Sequence, residues 1–169
     1  MVEYVILVDE NDAPVGREEK MKAHEKGMLH RAFSIFIFNG RGELLLQRRA
    51  LSKYHSAGLW TNTCCSHPHP SEDVIEAAHR KLVQEMGFDC ELKEAFHFRY
   101  TAKLDAGLTE NEFDHVLIGT YNKDPILNPD EADDFKWAPI EWLKADILKN
   151  PDKYTVWFKI CFEKVLRYL

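Results

Sequence analysis

Apolar positions along the chain fall into short runs separated by turn-forming clusters, and their spacing assigns the elements. Val5 to Val8 reads as a short apolar strand, ended by the turn cluster Asn11-Asp12-Ala13-Pro14. Arg17 to Lys26 is charged and free of β-branched residues, which predicts a short exposed helix. Ala32 to Phe38 is apolar and β-prone, Asn39-Gly40-Arg41-Gly42 is a hairpin-type turn, and Glu43 to Gln47 returns as a second strand. Ser52 to Gly58 is a loop, followed by the short, mostly uncharged stretch Leu59 to Cys65. His67-Pro68-His69-Pro70 is irregular, because each proline drives its predecessor out of the helical region.

Ser71 has the side chain of an N-cap, with Glu72 and Asp73 in the first turn of a helix running to about Met86. Val74, Ala77, Ala78 and Leu82 lie near one face of it, and Gly87 takes the position of a terminating glycine. Ala95–Lys103 and Asn111–Tyr121 are strands around Asp105-Ala106-Gly107, and Phe135–Ala138 is a short strand. Pro139 fits the first turn of a helix ending near Leu148. Pro151 opens a last helix with the stripe Val156, Trp157, Ile160, Cys161, Leu166 and Leu169. Hairpins mixed with helices around one central helix predict an α/β or α+β domain, a mixed sheet covered by helices. No repeat or linker divides residues 1–169, so one domain is expected.

Charge and composition narrow the function classes. Net charge is −6, which disfavours a general nucleic-acid binder but not a local basic pocket. No apolar run approaches the ~18 residues of a membrane span. The opening MVEYVILVDENDAP lacks the basic start of a signal peptide, so a cytoplasmic protein, monomeric or weakly dimeric, is expected. Cys64, Cys65, Cys90 and Cys161 fit neither paired zinc motifs nor a disulfide framework, and reduced thiols are expected.

Four clusters carry candidate chemistry. In Thr61-Asn62-Thr63-Cys64-Cys65-Ser66-His67-Pro68 a thiol and an imidazole share a fixed loop, although adjacent cysteines are often just small buried apolar groups. Glu110 and Glu112 are two apart and point to one side of a strand, where they repel unless solvated or bridged by a cation. His24 and His30 converge if a turn at Gly27 separates them. His24, His30, His67, Glu110 and Glu112 then make a nitrogen and oxygen donor set for a divalent ion. Arg48, Arg49 and Lys53, with Lys20 upstream, suit a diphosphate as well as a solvated face. His55, His69, His79, His97 and His115 are read as surface or satisfied histidines.

The stretch from Gln47 to Lys53, then Gly58-Leu59-Trp60-Thr61-Asn62-Thr63-Cys64-Cys65-Ser66-His67-Pro68, resembles the type I isopentenyl diphosphate isomerases of the Nudix superfamily. Glu110-Asn111-Glu112 and Val156-Trp157-Phe158-Lys159 match in the same order. The resemblance implies a Nudix-like mixed sheet between helices and the reversible conversion of isopentenyl to dimethylallyl diphosphate. In the Nudix box the first glycine position holds Ser66, the first glutamate is Glu72, and Lys81 and Gln84 replace two further glutamates, while Glu85 remains. Those replacements argue against hydrolysis and leave a nucleotide pyrophosphatase, or a non-catalytic diphosphate-binding module, as the rival readings.

The resemblance also implies roles. Cys65 and Glu112 handle protons on opposite faces of the allylic unit, Tyr100 hydrogen-bonds the glutamate, and the Trp157 ring faces a carbocation. His24, His30, His67, Glu110 and Glu112 hold one divalent ion (manganese, zinc or magnesium), and Glu85 holds a magnesium with the diphosphate. Lys20, Arg49, Lys53, Ser66 and Lys81 bind the substrate, with Arg80 a weaker candidate. The segment through His24 is expected to order over bound ligand.

Overall fold

The computed structural model describes residues 1–169. The centre is β3 (His30–Phe38), a strand whose nine residues are buried or nearly so. It is buried on both faces because each face is covered by helices, as an uninterrupted apolar run requires. It pairs in parallel with β8 (Thr109–Thr120) along its whole length, His30 lying opposite Glu112. On its other side it meets β1 (Tyr4–Val8) at His30, β6 (Cys64–Ser66) at Phe33 to Ile35, and β4 (Leu44–Arg49) at Phe38. Antiparallel additions complete one nine-stranded sheet: β2 (Pro14–Glu19) on β1, β5 (Trp60–Thr61) and β9 (Ala132–Ala138) on β4, and β7 (Leu92–Lys103) on β8.

Alternation along the strands divides the core in two. Phe33, Ile35, Ile37, Leu45, Cys64 and Leu117 pack under α2 (Val74–Met86), which contributes Ala77, Ala78, Leu82 and Met86. Phe36, Leu44, Leu46 and Val116 face α4 (Val156–Tyr168) through Trp157, Phe158, Cys161, Phe162 and Val165. Each such aromatic or aliphatic side chain contributes roughly 1.5–3 kcal/mol through burial. The helix α3 (Ile140–Lys149) adds Leu143 to the second layer. This is the α+β sheet between helices that the sequence predicts.

Several strand ends shift by two or three residues, and four differences go beyond that. Arg17–Glu19 is strand, not helix: β2 is an edge strand whose polar residues pair only with β1, and α1 (Lys20–Lys26) begins after it. Ser71 does not cap α2. It sits at φ 70°, whereas Asp73, extended at φ −73° and ψ 148°, accepts the Ile75 N–H at 2.8 Å. Pro151 opens a short 3-10 turn, Pro151–Lys153, and Thr155 caps α4. The buried stripe of α4 is rotated accordingly: Val156 and Leu169 are exposed, while Phe158, Phe162 and Val165 are core.

Gly87 ends α2 at φ +72°, and a Cβ there would collide with the Ile126 carbonyl. The loop is held by the Ile126 N–H donating to the Met86 carbonyl at 2.9 Å. Gly87→Ala is expected to cost about 2 kcal/mol, combining left-handed strain and the clash, measured by urea denaturation.

Candidate active site and metal centre

One end of the sheet closes on a cavity of about 270 Å³. Its walls come from α1 (Lys20, His24), β3 (Ser34), β4 (Gln47, Arg49), the following loop (Lys53, Tyr54, His55), β6 (Cys65, Ser66) and His67. α2 adds Lys81 and Glu85, β7 and β8 add Tyr100, Glu110 and Glu112, and α4 adds Trp157. The local reasons are visible in the chain. Gly27 takes φ 62°, turning the chain so that His24 on α1 and His30 at the start of β3 meet with ring centroids 4.9 Å apart. The β3–β8 register sets His30 beside Glu112, and the β7–β8 register sets Tyr100 opposite Glu112.

His24, His30, His67 and Glu112 each offer a ligand atom within 4.8 Å of the others. His30 Nε2 and His67 Nε2 are 3.2 Å apart, and Glu112 Oε1 lies 3.0 Å from His67 Nε2 and 3.5 Å from His30 Nε2. Two of the ring tautomers are fixed from behind. His24 Nδ1–H donates to the Lys20 carbonyl at 2.7 Å, and His30 Nδ1–H donates to the Met28 carbonyl at 2.8 Å. Their Nε2 lone pairs therefore face the cluster. Lone pairs converging on a carboxylate repel unless a cation sits among them. The triangle they form matches the ~3.3 Å ligand–ligand edge around an ion with ligand bonds of ~2.0–2.1 Å. The residues thus fit a divalent ion, and three imidazoles with one carboxylate suit a first-row transition ion.

Burial shapes the protonation states. It pushes the His67 pKa down to about 3, partly offset by Glu112, and depresses that of His24, with His30 adding to the effect. Neutral imidazoles are the metal-binding form. Burial opposes charge on Glu112, but the neighbouring ring nitrogens of His30 and His67 outweigh it and hold this carboxyl well below its usual range. Glu110 goes the other way, raised by burial and then by Glu112. Glu110 lies outside the four-ligand group. The Tyr100 hydroxyl stands 2.8 Å from Glu110 Oε2 and 2.7 Å from Glu112 Oε2. A phenol has one hydrogen, so it donates to Glu112 while protonated Glu110 donates to it.

Cys65 faces the same cavity, beside groups that accept. Asn62 Nδ2 donates to the Ile35 and Cys64 carbonyls, each at 3.1 Å, which fixes its Oδ1 3.0 Å from Cys65 Sγ. The Ser34 hydroxyl donates to Asp114 Oδ2 at 2.8 Å and lies 3.7 Å from the sulfur. Burial, followed by Asp114, raises the Cys65 pKa, so the resting group is a thiol donating to Asn62. Cys64 points into the α2 core and is fully buried.

The cations form a clamp along the other wall. Lys20 meets Glu3 at 2.8 Å, Lys53 meets Glu131 at 2.7 Å, and Lys81 meets Glu85 at 3.0 Å and Glu131 at 3.7 Å. Arg49 lies over Trp157, its Cζ 5.2 Å from the ring, and its buried Nε has no acceptor. The Trp157 indole N–H is likewise buried without a partner. Orphan donors beside three lysines describe an anion site. Arg48 and Arg80 are elsewhere: the strand alternation sends Arg48 to Asp133 at 2.7 Å, and Arg80 makes a two-pronged contact with Glu72 at 2.7 and 2.8 Å. Gln84 is exposed.

Residues 28–158 match the NUDIX domain profile. A Photorhabdus laumondii protein named isopentenyl-diphosphate Delta-isomerase 2 is 56% identical over 94% of this chain and 90% of its own. The chain belongs to the isopentenyl-diphosphate Delta-isomerase family. Other members are similar at comparable range; isopentenyl-diphosphate Delta-isomerase 1 of Aromatoleum aromaticum is 55% identical over 98% of this chain and 94% of its own. Solved structures agree on the fold: a Deinococcus radiodurans crystal structure superposes with TM-score 0.73 at 21% identity, covering 88% of this chain and 90% of that one. The MutT protein of Methanosarcina mazei superposes with TM-score 0.67 at 23% identity, over 82% of this chain and 94% of that one. No helix is long and apolar enough to cross a membrane.

Within this family site, sequence reasoning overlooked His55. Read as an ordinary histidine, it is buried, its ring 6.5 Å from that of His24 and edge-on to Trp157 at 5.6 Å. A loop delivers it, so no periodic signal marked it. Asn62, Ser34 and Asp114 were also missed, and the only hint was polar residues inside apolar runs.

Two outcomes follow for the metal-free protein. His67→Ala is expected to weaken zinc binding at the four-ligand site at least ~100-fold, read by calorimetry. Burial, with Arg49, holds the His55 pKa at about 3, against 6.5 unperturbed. The unfolded chain then binds the extra proton between those values, so stability rises with pH across the window and is lost as pH falls from 6.5 toward 3. His55→Gln should flatten that dependence relative to wild type, by on the order of 1 kcal/mol per pH unit in denaturant titrations.

Proposed function

We propose that this chain interconverts isopentenyl diphosphate and dimethylallyl diphosphate by adding one proton and removing another. The observation that carries the reading is the pairing, in one cavity, of a convergent metal-ligand cluster and Cys65 with an arginine at the anion end whose buried Nε has no acceptor, its Nη2 being held by the His55 carbonyl at 3.1 Å. Relatives sharing about half the residues carry the isomerase name.

The diphosphate anchors at Arg49, Lys20, Lys53, Lys81 and Ser66, drawing Lys20 from Glu3 and Lys53 from Glu131 while Lys81 stays on Glu85. Both Glu85 oxygens already accept hydrogen bonds, from Lys81 at 3.0 Å and Gln47 at 3.0 Å. Glu85 would hold a magnesium jointly with the diphosphate, and the ion would offset the phosphate charge. At the other end, His24, His30, His67 and Glu112 would hold a divalent ion, whose positive charge would orient Glu112 and tune its acidity. Zinc or manganese suits the imidazole-rich set better than magnesium.

Chemistry needs a proton delivered to the terminal alkene carbon and one withdrawn from the allylic methylene. Cys65 and Glu112 are the two groups that exchange them, with Tyr100 and Glu110 restoring the proton on the carboxylate side. The intermediate tertiary cation sits against the Trp157 ring, whose stabilisation reaches ~2 kcal/mol when water is excluded. Arg49 over the same ring couples anchoring of the anion to placement of the cation. Hydrolysis is not supported, since Lys81 is committed to Glu85 and Gln84 faces solvent.

Incubation of isopentenyl diphosphate in deuterated water with magnesium is expected to give dimethylallyl diphosphate bearing deuterium in the new methyl group. Cys65→Ala and Glu112→Gln should each lower turnover at least ~10³-fold, while Cys64→Ala keeps it and loses stability. Turnover by Cys65→Ala with none by Cys64→Ala would reject the choice within the cysteine pair. Phosphate release from nucleoside triphosphates at a comparable rate would favour the hydrolase reading.

A further inference from the structure

A second constellation lies outside the cavity, on the β7–β8 ribbon where it meets the turn between β1 and β2. Glu94, His97 and His115 place ligand atoms within 4.8 Å of one another. His97 and His115 are directly paired across the two strands. Glu94 lies three residues before His97, and in a regular strand the two would point to opposite faces. The register shifts between Glu94 and Phe96, and this bulge turns the Glu94 carboxylate onto the imidazole side.

The polar atoms then pose a problem of balance. His115 Nε2 is 2.9 Å from Asp12 Oδ2, and His115 Nδ1 is 3.0 Å from Glu94 Oε1. A neutral imidazole has one N–H, so it satisfies one of these carboxylates and turns a lone pair on the other. Asp12 is a fixed partner: Arg31 Nε binds its Oδ1 at 2.8 Å, and Arg31 Nη2 binds its carbonyl at 2.6 Å. With its one hydrogen on Nε2, His115 serves Asp12 and turns its Nδ1 lone pair on Glu94. His97 Nδ1 approaches the same Glu94 oxygen at 3.3 Å. Its ring is held against Phe113, with centroids 5.2 Å apart and planes 28° from parallel. His97 can serve this oxygen as its Nδ1–H tautomer, but the His115 lone pair then still faces the same carboxylate, whereas a cation in the gap would serve both rings.

We propose that Glu94, His97 and His115 bind a first-row transition divalent ion, with Asp12 as the carboxylate that orients His115. The separations of 3.0 and 3.3 Å approximate the ~3.3 Å edge of a tetrahedron with ligand bonds of ~2.0–2.1 Å. Two imidazoles and one carboxylate select zinc, nickel or copper over magnesium and calcium. His97 is more than half exposed, so water is at hand for the remaining position and binding is expected to be weaker than in the buried cavity. The ion ties the β1–β2 turn, through Asp12, to the β7–β8 ribbon.

The test is zinc titration of the purified chain by calorimetry, with His97→Ala and Glu94→Gln alongside. Wild type should bind two zinc ions, one in the cavity and one here, and each variant should lose the weaker event or bind it at least ~10-fold less tightly. Both variants should keep isomerase turnover, because neither residue touches the cavity. Saturating zinc should raise the thermal midpoint of wild type more than that of His97→Ala. Equal zinc stoichiometry, affinity and thermal response in wild type and both variants would overturn the proposal and leave a protonated histidine as the occupant.

Discussion

Lone pairs aimed at one point in a buried pocket set the requirements on everything around them. His30 and Glu112 both turn lone pairs toward His67 Nε2, so the 3.0–3.5 Å separations need either a hydrogen on that nitrogen or a cation among the three. That arrangement depends on the fold at several distances: a left-handed Gly27, the in-register pairing of β3 with β8, and a proline-bounded loop carrying His67. The carbonyls of Lys20 and Met28 complete it by fixing which nitrogen carries hydrogen on His24 and His30. Stability and metal affinity are thus one problem here, since the same burial that keeps the imidazoles neutral is unfavourable for the carboxylate they surround.

The cavity is divided by charge. One wall holds the donor cluster and the Glu110–Tyr100–Glu112 chain, and the other holds lysines resting on glutamates. Cys65 lies among acceptors, Asn62 and Ser34, and its thiol is held protonated. The thiol held protonated and the carboxylate held ionised line the same cavity. The replacement of box glutamates by Lys81 and Gln84 belongs to the same logic, because Lys81 puts a fixed cation on Glu85 that a hydrolytic metal centre would not have.

Much of this was legible in the chain. The central strand, the α2 core face, the Gly27 turn and the meeting of His24 with His30 follow from periodicity and from one glycine. β2 was not legible, because an edge strand that buries little has no apolar alternation, and Arg17-Glu18-Glu19 reads as helix by composition. Arg48 and Arg49 are adjacent, and only the pleat with its bulge decides which enters the cavity. His55 and Asn62 escaped because their roles come from contacts made by a loop and a two-residue strand, where no period exists. Thr155 and Asp73 displaced the expected caps since capping needs extended backbone, which residue type alone does not specify.

The parallel pairing of β3 with β8 has a consequence for how the protein is made. Its two strands are separated by most of the chain's first two-thirds, including α2 and the β7 hairpin partner. A nascent polypeptide leaving the ribosome exposes His24, His30 and His67 well before Glu112 is synthesised. His24 on α1, His30 on β3 and His67 after β6 then form an incomplete donor set beside the unpaired edge of β3. Completing that donor set depends on a non-local strand pairing, a class of contact that forms more slowly than local helices.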